Sequence, residues 1–403
     1  MILWDSLFSE RAKLIKGSAI RELLKLITQP DIISFGGGMP DPQFFPVEQL
    51  QECVHDVLAT NSAVALQYGT TEGVPAFRSW LAEDARSKGL TQASAENILV
   101  TASSQQALDL IAKVMLDPGD IALVEAPSYL GALQAFSAFQ GQAIAIDMDE
   151  EGICTDILEK RIKTIRFGTR PIKFIYVVPS FQNPAGLTMS LERRQRLLDI
   201  SERYNIPIIE DQPYQALRYR GTRVPPIASM DRNGQVVYLE TFSKILSPGF
   251  RLGWVLAPEP LIRKLTLAKQ GTDLCTSPFN QLIALEFCKR GYLEPHVAKI
   301  REEYRKKLDA MLSAMDKFFP KEVKWTHPEG GLFLWVECPK EVDTTDMVRD
   351  AIGMKVAYVG GTGFYPDGRG ENCMRLNFSY STPEVNREGI RRLAECLKKR
   401  LSH

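Results

Sequence analysis

A surplus of charge of either sign is missing from this 403-residue chain: 49 lysines and arginines balance 49 aspartates and glutamates. A neutral total exerts no long-range pull on nucleic acid or an anionic membrane, so any anionic ligand must be held by local groups. Histidine is scarce. None of the four stands in a His-Glu-x-x-His or comparable spacing, and no metal centre is expected. The seven cysteines (Cys53, Cys154, Cys275, Cys288, Cys338, Cys373, Cys396) are odd in number, scattered and without a Cys-x-x-Cys pair. They read as buried or incidental thiols of a cytoplasmic protein. No apolar run approaches the ~18 residues of a membrane span, and the start Met1-Ile-Leu-Trp-Asp-Ser6 turns polar too soon for a signal peptide. Repeats and low-complexity tracts are also lacking.

What is present is an ordinary globular composition, 44% hydrophobic and 24% charged, over a length that suggests two or three domains. Through the middle of the chain, short apolar runs alternate with amphipathic ones, the pattern of a mainly parallel sheet covered by helices. Strands are expected at 97–101, 120–125, 173–178, 206–210 and 236–239, and helices at 104–116, 129–139 and 191–204. From about Pro278 long helices take over, notably 293–318. A small α+β unit follows, with strands at 332–336, 356–359 and 374–380 and a terminal helix over 384–401. A helix over 18–27 precedes the segment Gly36-Gly37-Gly38-Met-Pro-Asp-Pro42, which reads as a hinge or ligand-approach loop.

The chemistry concentrates at strand ends. The apolar run 236–239 delivers Thr241, Ser243 and Lys244 to a turn, Ser247-Pro248-Gly249, and Arg251 follows seven residues after the lysine. Hydroxyls and a guanidinium satisfy phosphate oxygens, and a nearby amine forms a Schiff base with an aldehyde. Pyridoxal phosphate carries both groups on one ring. Asp211, just past another apolar strand, is placed to face a cation such as a protonated pyridine nitrogen. Asn183 and Tyr214, after neighbouring strands, are suited to donate to a phenolic oxygen. The run Thr101-Ala-Ser-Ser-Gln-Gln106 puts hydroxyls where a strand becomes a helix, and orphan N–H groups there favour a phosphate. Tyr129 opens the next helix and is able to stack on a planar ring.

Taken together, these residues resemble the fold-type I pyridoxal-phosphate aminotransferases of class I/II over essentially the whole chain. The branch it looks most similar to holds 2-aminoadipate, kynurenine and multi-substrate aminotransferases. The motifs are Ser34-Phe-Gly-Gly-Gly-Met-Pro40, Ala65-Leu-Gln-Tyr-Gly-Thr-Thr-Glu-Gly73, Ser104-Gln-Gln-Ala-Leu-Asp109, Pro179-Ser-Phe-Gln-Asn-Pro-Ala-Gly186, Thr241-Phe-Ser-Lys244 with Arg251, and Met374-Arg-Leu-Asn-Phe-Ser379. The resemblance implies an α/β fold with a mainly parallel seven-stranded sheet covered by helices, over residues 46–295. It also implies a small α+β domain formed by both chain ends, 1–45 and 296–403.

It implies further that Lys244, Asp211 and Tyr214 are catalytic. Lys244 would hold the cofactor covalently, Asp211 pair with its ring nitrogen, and Asn183 and Tyr214 contact its phenolic oxygen. Ser104, Gln105, Thr241, Ser243 and Arg251 would hold the phosphate, with Tyr129 stacked on the ring. Arg375 would bind the substrate α-carboxylate beside Asn183 and Gly38, and Arg21 the distal carboxylate of acidic substrates. Tyr68 would reach the neighbouring subunit's cofactor, giving a homodimer with shared active sites. Ser103 departs from the family's usual glycine, and its side chain is expected to crowd the phosphate turn.

The implied activity is ping-pong transfer of an amino group from an L-amino acid (2-aminoadipate, glutamate, aromatic or aliphatic) to a 2-oxo acid such as 2-oxoglutarate. Other pyridoxal-phosphate chemistry, lyase or decarboxylase, is the alternative on the same scaffold. A ligand-sensing regulator is a further one, disfavoured because the aminotransferase pattern begins within the first ~35 residues, leaving no room for a DNA-binding module.

Overall fold

A computed structural model of the chain describes residues 2–14, 31–166 and 168–402. The expected helix 18–27, with Arg21 in it, lies outside the described residues. After a two-residue strand, β1 (Ile33–Ser34), the next eight strands form the central sheet: β2 (Ile98–Thr101), β3 (Ile121–Ala126), β4 (Gln142–Asp149), β5 (Gly152–Ile153), β6 (Ile172–Val177), β7 (Ile208–Asp211), β8 (Val236–Thr241) and β9 (Gly253–Leu256). Their spatial order is β2-β9-β8-β7-β6-β3-β4-β5. β9 runs antiparallel to both β2 and β8, and β5 to β4; the other pairings are parallel. The sheet thus has the seven expected principal strands, plus the two-residue β5 at one edge.

The interior strands are apolar nearly throughout because both faces are covered. Alternate residues go to opposite faces: Leu123, Ile175, Ile208 and Val236 join one buried cluster, with Leu158, Leu197 and Ile200 from the helices Thr155–Ile165 and Leu191–Tyr204. Val124, Tyr176, Ile209 and Val237 join the other, with Ala107, Leu108 and Ile111 from the helix Ser103–Met115. By the same parity Asp211 and Thr241 fall on the second face, at the carboxyl ends of their strands.

Two strands escape the local pattern. β4 is only half-buried, so its apolar signal is weak. β9 lies inside the stretch that reads as an anion clamp, and only its pairing with β2 and β8 makes it a strand.

The C-terminal region builds a second sheet from β10 (Lys324–Trp325), β11 (Phe333–Glu337), β13 (Val359–Gly360) and β14 (Cys373–Asn377), in the order β10-β11-β14-β13, while β12 (Val356–Ala357) pairs in parallel with β1. The single strand expected over 356–359 is therefore divided at Tyr358. That ring is fully buried, and its hydroxyl donates to Thr344 O at 2.6 Å. The helix Leu293–Phe318 has the expected bounds, and its buried Val297, Ile300, Tyr304, Leu308, Met311 and Met315 recur at helical spacing. The segment before the central sheet is tied to this region. Beyond the β1–β12 pair, Asn377 N–H donates to Phe35 O at 2.8 Å, and Lys307 pairs with Asp41 where both are buried. No helix among the described residues is long and apolar enough to cross a membrane.

Candidate active site

The lysine comes from β8. The strand ends at Thr241, and a tight turn closed by Leu246 N–H donating to Phe242 O at 2.9 Å carries Lys244 back over the sheet end. Its Nζ donates to Gly38 O at 2.8 Å, so the Gly36–Gly38 loop lies directly against the amine. A side chain at residue 38 would also crowd Phe333, at 3.2 Å from the Cβ it would add. Loss of hydration on burial, then the charges of Arg375 and Arg251, pull the Lys244 amine down to about 8. Arg375 and Arg251 together thus supply the nearby positive charge that favours the neutral amine, Arg375 the more strongly.

Asp211 ends β7 almost completely buried. Tyr176, on the same face of adjacent β6, donates its hydroxyl to Asp211 Oδ2 at 3.0 Å, while Oδ1 has no partner. Burial pushes this carboxyl up to about 7, the tyrosine bond opposing it. A buried acceptor held by one neutral donor and otherwise unsatisfied fits a cationic N–H. Glu125, buried on β3, accepts from Val178 N–H at 3.0 Å and Gln182 Nε2 at 3.2 Å, and burial raises it to about 7 as well.

The anion turn lies where β2 becomes the helix Ser103–Met115. Arg251 Nη2 donates to Ser103 Oγ at 2.5 Å, and the hydroxyl of Ser104 is buried without a partner. Gln105 faces sideways: its Nε2 donates to Gly131 O at 2.8 Å, and its Oε1 accepts from Tyr129 OH at 3.1 Å. Thr241 uses its hydroxyl proton on Leu252 O at 2.8 Å and accepts from Ser243 N–H at 3.2 Å, so it shapes the turn that presents Ser243 and Lys244. At the turn itself stands Ser103, the residue expected to crowd it. The residue takes a left-handed backbone, φ +73°, which turns its side chain toward Arg251.

Arg375, on β14, crosses from the second sheet to this site. Nη1 donates to Asn183 Oδ1 at 3.0 Å, Nη2 to Gly36 O at 2.8 Å, and Nε has no partner. The guanidinium lies 4.2 Å from the Phe333 ring centroid and 5.1 Å from that of Phe364. Burial lowers it to about 10, partly offset by Tyr214 and Tyr129. No carboxylate pairs with it among the described residues, so a buried fork is matched to a bidentate anion from outside the chain. Tyr214 is buried, packed edge-on to Phe333, and burial raises its phenol, with a hydrogen bond to Asn183 opposing.

The structure therefore brings together Lys244, Asp211, Tyr214, Asn183, Tyr129, Ser104, Gln105, Thr241, Ser243, Arg251, Gly38 and Arg375. It does not bring in Tyr68, which is 79% exposed, with no side-chain partner in its own chain among the described residues. Arg21 lies outside the described residues. One participant escaped the sequence reading. Tyr176 looks like any core tyrosine, though a buried phenol needs a partner. Ser103 did not escape it, since its hydroxyl stands in the run Thr101-Ala-Ser-Ser-Gln-Gln106 that reads as favouring a phosphate.

Residues 31–393 match the family described as aminotransferase class I and II. The chain is similar to aromatic-amino-acid aminotransferase 1 of Thermococcus litoralis, 48% identical over 398 residues, 99% of this chain and 95% of that one. Its structure is similar to that of Pyrococcus horikoshii kynurenine aminotransferase in complex with pyridoxamine phosphate, with a TM-score of 0.96, 45% identity and coverage of 99% and 98%. It is also similar to the α-aminoadipate aminotransferase of Thermus thermophilus complexed with N-(5'-phosphopyridoxyl)-L-leucine, with a TM-score of 0.92, 39% identity and full coverage of both chains.

Proposed function

This chain belongs to the class I and II aminotransferases, and from that premise we propose the following assignment of its substrates and site residues. It is a pyridoxal-phosphate-dependent aminotransferase of broad specificity, acting on aromatic donors, kynurenine and 2-aminoadipate, with 2-oxoglutarate as acceptor. The relatives just described support this breadth. The observation that carries the site assignment is the pairing of a lowered Lys244 amine with a buried Asp211 oxygen that has no partner.

Bound here, pyridoxal phosphate supplies an aldehyde that exchanges one amine for another and a ring that accepts the electron pair left when an α-proton departs. Lys244 Nζ would hold the cofactor covalently and, as a free amine, would take up and return the donor's α-proton. Burial and the neighbouring Arg375 and Arg251 lower this amine to about 8 and so favour its neutral, proton-accepting form. Asp211 Oδ1 would accept from the ring nitrogen and favour its protonated form. Asn183 and Tyr214 would hold the phenolic oxygen, and Tyr129 would support the ring. Ser104, Gln105, Ser243 and Arg251, with Thr241 shaping their turn, would hold the phosphate. Arg375 binds the donor's α-carboxylate beside Asn183 and Gly38, the Phe333 and Phe364 rings shielding that ion pair from water.

Of the chain ends assigned to one domain, 1–45 and 296–403, the described residues 31–45 join 296–403 beside 46–295, supported by the β1–β12 pairing and by Arg375 reaching from β14, whereas the helix Glu10–Leu14 lies beside the helix Leu130–Ala138 of 46–295. The exposed Tyr68 supports a homodimer in which each subunit completes the other's site. All seven cysteines are free, which fits a cytoplasmic setting.

Borohydride reduction of the loaded enzyme followed by peptide mapping tests the assignment. The label is expected on Lys244, and a label on any other lysine refutes it. A donor panel with 2-oxoglutarate, scored by kcat/KM, tests the breadth; turnover of one donor class alone would refute it.

A further inference from the structure

We propose that Ser103 is a further ligand of the cofactor phosphate, its hydroxyl and Arg251 acting as one clamp. The inference rests on the cofactor assignment above and adds to it a residue particular to this chain's turn.

Two non-glycine residues with left-handed backbone face each other here, Ser103 at φ +73° and Arg251 at φ +50°. Their placement follows from strand register. Thr101 of β2 pairs with Gly253 of β9, and Ser103 and Arg251 each lie two residues beyond that pair. The turn is locked from both sides. Thr101 Oγ1 donates to Ser103 O at 3.0 Å, and a Cβ added at Gly253 would meet Ser103 C at 2.7 Å and Ser104 N at 2.8 Å. An L-residue in this region is strained relative to glycine, and such strain persists mainly where the surroundings over-determine it, most often at ligand sites.

What the strained conformation achieves is the contact itself. Ser103 is 5% exposed, and its Oγ accepts from Arg251 Nη2 at 2.5 Å. A hydroxyl that accepts from a guanidinium still has its own proton to give, and among the described residues no acceptor takes it. One residue on, the Ser104 hydroxyl is buried, 8% exposed, and unpartnered. The helix Ser103–Met115 begins here with its first N–H groups free of intrahelical partners. Two hydroxyl donors and a guanidinium at one helix start match a tetrahedral dianion. A glycine at 103 would ease the backbone but leave the guanidinium without its guide and the phosphate without one donor.

The test uses Ser103→Gly and Ser103→Ala in cofactor-stripped protein, measuring affinity for pyridoxal phosphate, affinity for pyridoxal without the phosphate, and the melting midpoint. Both variants should bind pyridoxal phosphate roughly ten- to a hundredfold more weakly, the loss of one charge-assisted hydrogen bond, and bind pyridoxal as the parent does. Stripped Ser103→Gly should melt no lower than the parent and above Ser103→Ala, because glycine adopts the left-handed turn freely. Weakened phosphate binding without lost stability is an outcome that a purely structural serine would not give. Pyridoxal phosphate affinity within twofold of the parent in both variants, or equal weakening for both ligands, overturns the proposal. Failure of the parent itself to bind either ligand would overturn the cofactor assignment and this inference together.

Discussion

Replacing Asp211 with asparagine should stabilise the cofactor-stripped protein at pH 8, destabilise it near pH 4, and abolish most turnover of the loaded enzyme. Burial raises this carboxyl from the usual 3.8 to about 7, with only the Tyr176 hydroxyl opposing. Because the folded pKa lies above the unfolded one, the native state binds the proton more tightly. The associated stability is fully present below about pH 4 and is lost as pH rises through 7. Roughly three units at ~1.4 kcal/mol each give a parent penalty of about 4 kcal/mol by pH 8. Asparagine does not ionise and still accepts from Tyr176. It places an amide donor where Oδ1 had no partner, at a cost of about 1–3 kcal/mol. The difference between variant and parent should therefore change sign across the window, from a loss of about 1–3 kcal/mol near pH 4 to a similar gain at pH 8. Lys244 is common to both proteins and largely cancels in the difference, whereas Glu125, raised in part by the Asp211 charge, should ionise more readily in the variant and add to its gain at high pH. Urea unfolding of stripped parent and variant at several pH values measures it directly. A difference that stays constant between pH 4 and pH 8 would refute the picture of a buried carboxyl awaiting a cation. With cofactor bound the preference should invert, and kcat should fall more than cofactor affinity, since the ring nitrogen's proton matters most as negative charge develops.

Arg375→Lys keeps the charge but loses the fork between Asn183 and Gly36. Its kcat/KM should drop roughly a hundredfold for every donor, with cofactor absorbance unchanged. A loss confined to one donor class would contradict carboxylate binding. Mixing inactive Lys244→Ala subunits with inactive Tyr68→Phe subunits should restore activity, because each hybrid has one site with its own Lys244 and the partner's intact tyrosine. The same mixture with an Arg251→Ala variant should not, and absence of recovery in both mixtures would assign Tyr68 to its own subunit's site.

Much of the site is legible along the chain because its parts are local. Lys244 and Arg251 share one turn, Asp211 and Asn183 follow apolar strands, and a strand end is where an α/β sheet presents polar groups. Helix bounds at 191–204 and 293–318 follow from periodicity and termini alone, since burial of one face repeats every turn. Tertiary structure decided what depends on register between distant segments. Only the β2–β9 pairing makes 253–256 a strand and sets Ser103 against Arg251. Only the alignment of β6 with β7 on one face lets Tyr176 reach Asp211. Arg375 lies 131 positions beyond Lys244 in the chain, yet it depresses that amine more than Arg251 does, because electrostatic influence follows distance through the folded interior. Local sequence encodes which residues turn, bury or alternate. The partner a buried polar group meets is set by packing between elements that no short window contains.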